Sequence, residues 1–511
     1  MSRRLHAITL ALGLAAACTP TRRRTPDDTL VVAIETTMNT ADPRYTVSNY
    51  DSKLVRLVAP GLTTVDTPDA APRLLLASRI DRVDELTIDV ALRGDARFSD
   101  GTPVTADDVA RTYMSALDPR CESTSAKNLR ERFASVEARD PGVARFHLKY
   151  PLGTFVTDID FGVISFRGAP AGACKPAELV GAGPWSLREL TSTHALLDRN
   201  PYYFEPAKLP HAEIRFVPDA SARILMLVGG SLDLLQNAAR ADLIDDIAER
   251  PRVHVESAPS VILTYLLMNN DDPVLSDVRV REAIALALDR PAIIAAKFGG
   301  RARLATGLLP PTHWAYNGDV PRWQHDPARA RALLDEAGLH PDARGVRLEL
   351  VYKTSADDFR VAVARVIAAQ LAEVGIRVEV RPFEFQTFFA DMKAGNYQIA
   401  TMQTAEITEP DYYYAYFNSS RIPTETDRDG NNRWRYRSAD VDRLTEAGRR
   451  ETDPAKRKAI YAEVQRLVAR DLPVVPLWHE DNIVLSNVDV QGYAIVPNAR
   501  FAGLAGATKT H

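Results

Sequence analysis

The stretch from Val346 to Val380 constrains the fold more than any other part of this 511-residue chain. Val346, Leu348, Leu350 and Tyr352 alternate with the period of a strand, a helical segment runs from about Phe359 to Val374, and Gly375 stops it. Ile376, Val378 and Val380 then alternate again. Two strands joined through a helix pair in parallel with a right-handed crossover, so the chain is read as α/β. Ligands of such sheets collect beyond the carboxyl ends of the strands. Lys353, Thr354 and Ser355, just past Tyr352, are therefore expected to point toward a cleft. A chain of this length exceeds one ordinary core, so two or three domains are expected.

The punctuation elsewhere is equally clear. Leu30 to Ile34 reads as a buried strand, and a helix is expected from about Asp51 to Val58. Strand-like alternation runs through Leu86, Ile88, Val90 and Leu92 and again over Ala144–Leu148. Between these, Phe98-Ser99-Asp100-Gly101-Thr102-Pro103-Val104-Thr105 makes a turn and enters a helix, with Thr105 and Asp108 spaced as a capping box. Val280, Ile284, Ala287 and Leu288 form the apolar face of a helix stopped by Pro291. Asp326-Pro327 and Asp453-Pro454 each place a capping Asp before a Pro suited to a first helical turn.

Several function classes are excluded early. The formal net charge of −4 lacks the concentrated basic face that nucleic-acid binding requires. No G-x-S-x-G, H-E-x-x-H, G-x-x-x-x-G-K-[ST] or C-x-x-C motif occurs, and the ten histidines show no metal-ligand spacing. Catalytic residues, a metal and a cofactor are not expected.

The N-terminus reads as an export signal over residues 1–17. Arg3 and Arg4 precede an apolar run from about Ala7 to Ala17, too short to remain as a membrane span. The run ends in Ala15-Ala16-Ala17-Cys18, which resembles a bacterial lipobox with Cys18 as the lipidated residue. Ordinary cleavage is the alternative. Residues 18–28 would form a tether. Cys121 and Cys174 remain, an even count that permits a disulfide in an exported protein and equally permits two separate buried thiols.

Phe98–Val109, Gly181-Ala182-Gly183-Pro184-Trp185, Arg199-Asn200-Pro201-Tyr202-Tyr203 and Val278–Arg290 closely resemble, in order, the landmarks of the family 5 extracellular solute-binding proteins. These are the oligopeptide- and dipeptide-binding components of ABC importers. The resemblance covers most of the chain. It implies a two-lobed fold like that of the periplasmic binding proteins (class II type), with a hinge and an additional third domain. Lobe I would comprise 29–62, 181–270 and 486–511, domain II 63–180, and lobe III 271–485. It also implies a monomeric receptor, exported and held to the membrane only by its lipid, that hands a peptide or other small solute to permease subunits.

Site residues follow from the same resemblance. Taking Glu409-Pro410 as the family's acidic-Pro pair puts Glu406 where peptide-binding members carry an Asp for the ligand ammonium, and Gln403 where a Trp is usual. Asp411 and the aromatic run containing Tyr413 follow, and Tyr265 falls on the crossing strand near the hinge. Lys353 is a candidate for a ligand carboxylate. A non-peptide solute (nickel chelate, opine or oligosaccharide) and a peptide-sensing receptor are alternatives within the binding class. A lipid-anchored hydrolase is the alternative outside it.

Overall fold

The computed structural model describes residues 25–239 and 243–510. The signal segment and Cys18 lie outside the described residues, and no described helix is long and apolar enough to cross a membrane.

Three sheets organise the chain. The first has seven strands in the order Val253–Ala258, Asn482–Asn487, Leu234–Gln236, Thr29–Ile34, His211–Phe216, His194–Arg199, Trp185–Leu190. Thr29–Ile34 runs parallel to both neighbours. It is apolar almost throughout because it feeds two cores. Leu30, Val32 and Ile34 pack with Leu54, Leu57 and Val58 of the helix Asn49–Val58, while Val31 and Ala33 pack with Leu227, Ile244 and Ile247 on the other face.

The second sheet has six strands in the order Ala302–Leu304, Val474–Glu480, Leu263–Met268, Ile399–Thr404, Leu348–Ser355, Ile376–Phe383. The expected parallel unit is present: Leu348–Ser355 and Ile376–Phe383 pair in parallel through the helix Asp358–Ala372. Lys353, Thr354 and Ser355 still belong to the strand, so the residues beyond its carboxyl end are Asp357, Phe359 and Arg360.

The third sheet, four antiparallel strands in the order Ala77–Arg82, Thr87–Leu92, Val143–Leu148, Phe133–Asp140, carries the helix Ala106–Leu117. The Thr105–Asp108 capping box that starts this helix is formed in both directions. Cys121 and Cys174 are disulfide-bonded, with Cα atoms 5.0 Å apart. Gly181 and Gly183 carry the chain back to the first sheet against the end of the helix Asn49–Val58. A Cβ would lie 2.0 Å from the Val58 carbonyl oxygen at the first and 2.2 Å from that of Leu57 at the second, so only glycine permits this approach.

The chain crosses between the two large sheets at 259–262 and at Asp481, earlier than the expected boundaries of 270 and 485. Leu263–Met268 was expected in lobe I, but it pairs antiparallel with Ile399–Thr404 and Val474–Glu480. Asn482–Asn487 was expected mostly in lobe III and pairs with Val253–Ala258 and Leu234–Gln236. Ladder register fixes the assignment, and an apolar run carries no record of which sheet it will join. The crossings touch: Glu480 N–H donates to the Ile262 carbonyl at 3.2 Å, and the Ser257 hydroxyl donates to Asp481 at 3.0 Å.

Candidate functional site

A cavity of about 450 Å³ opens between the two large sheets, beside both crossings. Its position follows from topology. Glu35 is the first residue beyond Thr29–Ile34, and Asn237 the first beyond the parallel neighbour Leu234–Gln236. From the opposite lobe come Asp357, Phe359 and Arg360, past the end of Leu348–Ser355. The cavity therefore lies at carboxyl ends of parallel strands in both lobes, where such sheets collect ligands.

Its floor is one row across the second sheet. Gln403 and Trp478 are both paired with Thr264, and all three side chains line the cavity. Buried polar atoms without hydrogen-bond partners gather here: Glu35 Oε2, Arg301 Nη1, Trp478 Nε1 and Asp481 Oδ1, the last within an ion pair of 3.3 Å to Arg303 Nε. Native structures satisfy nearly all buried polar groups; a second group of such atoms, including Glu406 Oε1, Asp160 Oδ1 and Arg500 Nε, lies around Arg500.

Glu406 lies elsewhere. It sits just beyond Ile399–Thr404 with φ of +60°, a left-handed conformation that is uncommon for a side chain of this kind. Its Oε2 is 3.5 Å from Arg500 Nη2. Arg500 Nη1 in turn meets Asp160 Oδ2 at 2.9 Å and Asp66 Oδ1 at 3.2 Å, and Arg56 meets the other Asp160 oxygen at 2.8 Å. Burial acts to lower the Arg500 pKa, but Asp160, Glu406 and Asp66 outweigh it and hold the guanidinium well above its usual range. Glu406 thus shares Arg500 through Oε2, while its Oε1 is buried with no hydrogen-bond partner. Lys53 lies nearby over the rings of Tyr50 and Phe501, its pKa pulled down by burial against the opposing fields of Glu406 and Glu35.

Of the other expected site residues, only Gln403 lines the cavity. Tyr265 is buried on the opposite face of its strand, its hydroxyl 3.0 Å from Thr404 Oγ1 and its ring edge-on to Trp434. Tyr413 belongs to the same core and accepts the Leu308 N–H at 3.2 Å. Both were expected toward the cleft: strand alternation turns Tyr265 away, so that Thr264 faces it, and Tyr413 lies on the buried face of the helix Tyr412–Phe417. Lys353 is paired with Asp391 at 2.7 Å. Asp411 accepts the Tyr461 hydroxyl at 2.8 Å and lies 3.5 Å from Arg449; burial pushes its carboxyl up to about 7, with Arg449 and Tyr461 opposing. Among the described residues, no group of three or more His, Cys, Asp or Glu is placed to hold a metal ion.

Glu35, Arg301 and Arg500 carried no motif. One available signal was the carboxyl-end rule applied to the first strand, which singles out Glu35.

The model of the bacterial extracellular solute-binding proteins, family 5, matches residues 71–424. The chain is 26% identical over 438 residues to the probable di/tripeptide-binding protein 5 of Pseudomonas aeruginosa, covering 80% of this chain and 81% of that one. It is 26% identical over 519 residues to the glutathione-binding protein GsiB of Escherichia coli, covering 98% and 99%. The crystal structure of NikA from Brucella suis in complex with Fe(III)-EDTA superposes with a TM-score of 0.84 at 20% identity, covering 95% of this chain and 100% of that one. That likeness carries the two-lobed fold with an extra domain.

Proposed function

We propose that this chain, which belongs to the bacterial extracellular solute-binding proteins of family 5, captures short peptides between its two lobes for an ABC importer. The observation that carries the reading is the inter-lobe cavity at the carboxyl strand ends, with its unpartnered polar atoms. A volume near 450 Å³ falls in the range of about 300–1,000 Å³ usual for small-molecule sites. The relatives named for di/tripeptides and for glutathione support a short peptide over a long one.

Capture works through differential contact. A ligand touching both lobes favours the closed arrangement by as much as it binds that state more tightly than the open one. The paired crossings at 259–262 and Asp481 form the hinge in this reading. The receptor is exported, anchored through a lipid on Cys18, monomeric, and hands its peptide to permease subunits. Cys18→Ala is expected to move the protein from the membrane to the soluble fraction.

Titration calorimetry against a pool of mixed tripeptides tests the ligand class. Saturable binding is the expected result. Saturable binding of a nickel or iron chelate, with none of the tripeptides, would overturn the peptide reading.

A further inference from the structure

Glu35 Oε1 accepts the Tyr50 hydroxyl, which fixes the carboxylate in place. Its Oε2 is buried at the cavity with no hydrogen-bond partner, and no cation among the described residues closes an ion pair with it. Lys53 feels the Glu35 field but is held over two aromatic rings. A carboxylate oxygen kept from water and left without a cation is costly, so a site built this way calls for a positive group from outside.

Arg301 is its counterpart on the other lobe. It immediately precedes the strand Ala302–Leu304, and its Nη2 reaches across the cleft to Asp245 Oδ1 at 2.5 Å. Asp245 is itself largely exposed, which makes the pair weak. The Nη1 of Arg301 is buried at the same cavity with no partner. A guanidinium binds best with both arms of its fork engaged, and a carboxylate is the acceptor that geometry suits.

Glu406 lies outside the residues lining the cavity; its Oε1 is likewise buried without a hydrogen-bond partner, but its Oε2 already faces Arg500. An ammonium there would meet a carboxylate that already has a cation, whereas Glu35 has none among the described residues.

We infer that Glu35 and Arg301 read the two charged ends of a short zwitterionic peptide, ammonium on lobe I and carboxylate on lobe III, and that Glu406 does not hold the ammonium. The inference rests on the inter-lobe cavity being the peptide site. It gives closure a direct cause, because one ligand joins a lobe I carboxylate that has no cation among the described residues to a lobe III guanidinium whose Nη1 is unpartnered. It also sets ligand length, since both termini must fit one cavity.

Equilibrium dialysis tests it. The parent, Glu35→Gln, Arg301→Gln and Glu406→Gln are dialysed against mixed tripeptides with free termini, acetylated N-termini or amidated C-termini, and retained peptides are quantified by mass spectrometry. The parent should retain the free form above both blocked forms. Glu35→Gln keeps an acceptor for Tyr50 and should bind the free form about tenfold less or worse, the scale of one lost charge-assisted hydrogen bond, so that acetylation no longer matters. Arg301→Gln should do the same for amidation, and Glu406→Gln should stay within about threefold of the parent. Where Glu35→Gln melts below the assay temperature, Glu35→Asp replaces it and should show a smaller loss confined to free amines. Loss of free-amine binding in Glu406→Gln with Glu35→Gln intact would overturn the inference and leave the peptide reading standing. A parent that retains none of the three forms would overturn both.

Discussion

Arg500 Nη2 lies 3.5 Å from Glu406 Oε2, and this approach joins the C-terminal segment of lobe I to a loop of lobe III. With Asp160 and Asp66 on the other arm, one buried guanidinium ties three parts of the chain together. Removing one partner of a buried ionic cluster strands the others, at a typical cost of about 3–5 kcal/mol. Arg500→Met is expected to lose stability on that scale in urea unfolding. Glu406→Gln should lose less, because Arg500 keeps two carboxylates. A loss under about 1 kcal/mol for Arg500→Met would contradict the importance assigned to the cluster.

The Asp411 carboxyl is pushed up to about 7 by burial, whereas an unfolded Asp titrates near 3.9. Between about pH 4 and 7 the folded protein therefore holds a proton that the unfolded chain has released. Stability falls as pH rises through that window and levels off above it. At about 1.4 kcal/mol per pKa unit, the group contributes of order 4 kcal/mol at most. Asp411→Asn removes this dependence and keeps an acceptor for Tyr461. Urea midpoints at pH 5 and pH 8 should show a larger decline for the parent than for the variant, and equal declines would contradict the assignment.

The Cys121–Cys174 bond closes a segment of 53 residues in the third-sheet domain. Loop-closure entropy for that length corresponds to about 4 kcal/mol. The double variant Cys121→Ser/Cys174→Ser should unfold at lower urea, with the change concentrated in amide exchange of Ala106–Leu117 and its sheet. Uniform exchange across all three sheets would contradict a local effect.

Gln403 lines the cavity beside Thr264 and Trp478. Gln403→Arg puts a longer, bulkier side chain into that space. Tripeptide affinity by calorimetry should fall about tenfold or more, the order expected when a filled site must shed a side chain. Unchanged affinity would place the ligand elsewhere.

Much of this architecture was legible from local patterns. The capping box at Thr105 and Asp108, the parallel unit around Asp358–Ala372 and the glycines facing Val58 and Leu57 are each dictated by neighbours in sequence or by backbone sterics. The strand Leu263–Met268 was legible as a strand but not as a member of a particular sheet, because all six of its residues are buried and alternation gives no direction. That ambiguity put Tyr265 on the wrong face. The Arg500 cluster was hidden for another reason: Asp66, Asp160, Glu406 and Arg500 are brought together only by the fold. Resemblance could locate Glu406, but it carried no information about the cation that neutralises it.

Native mass spectrometry of the protein as purified from cells tests the central claim most directly. The account predicts a mass excess matching dipeptides or tripeptides, released on denaturation, identifiable in the supernatant, and absent from Glu35→Gln prepared in parallel. A mass excess matching a metal chelate, or the same peptides carried undiminished by Glu35→Gln, would contradict it.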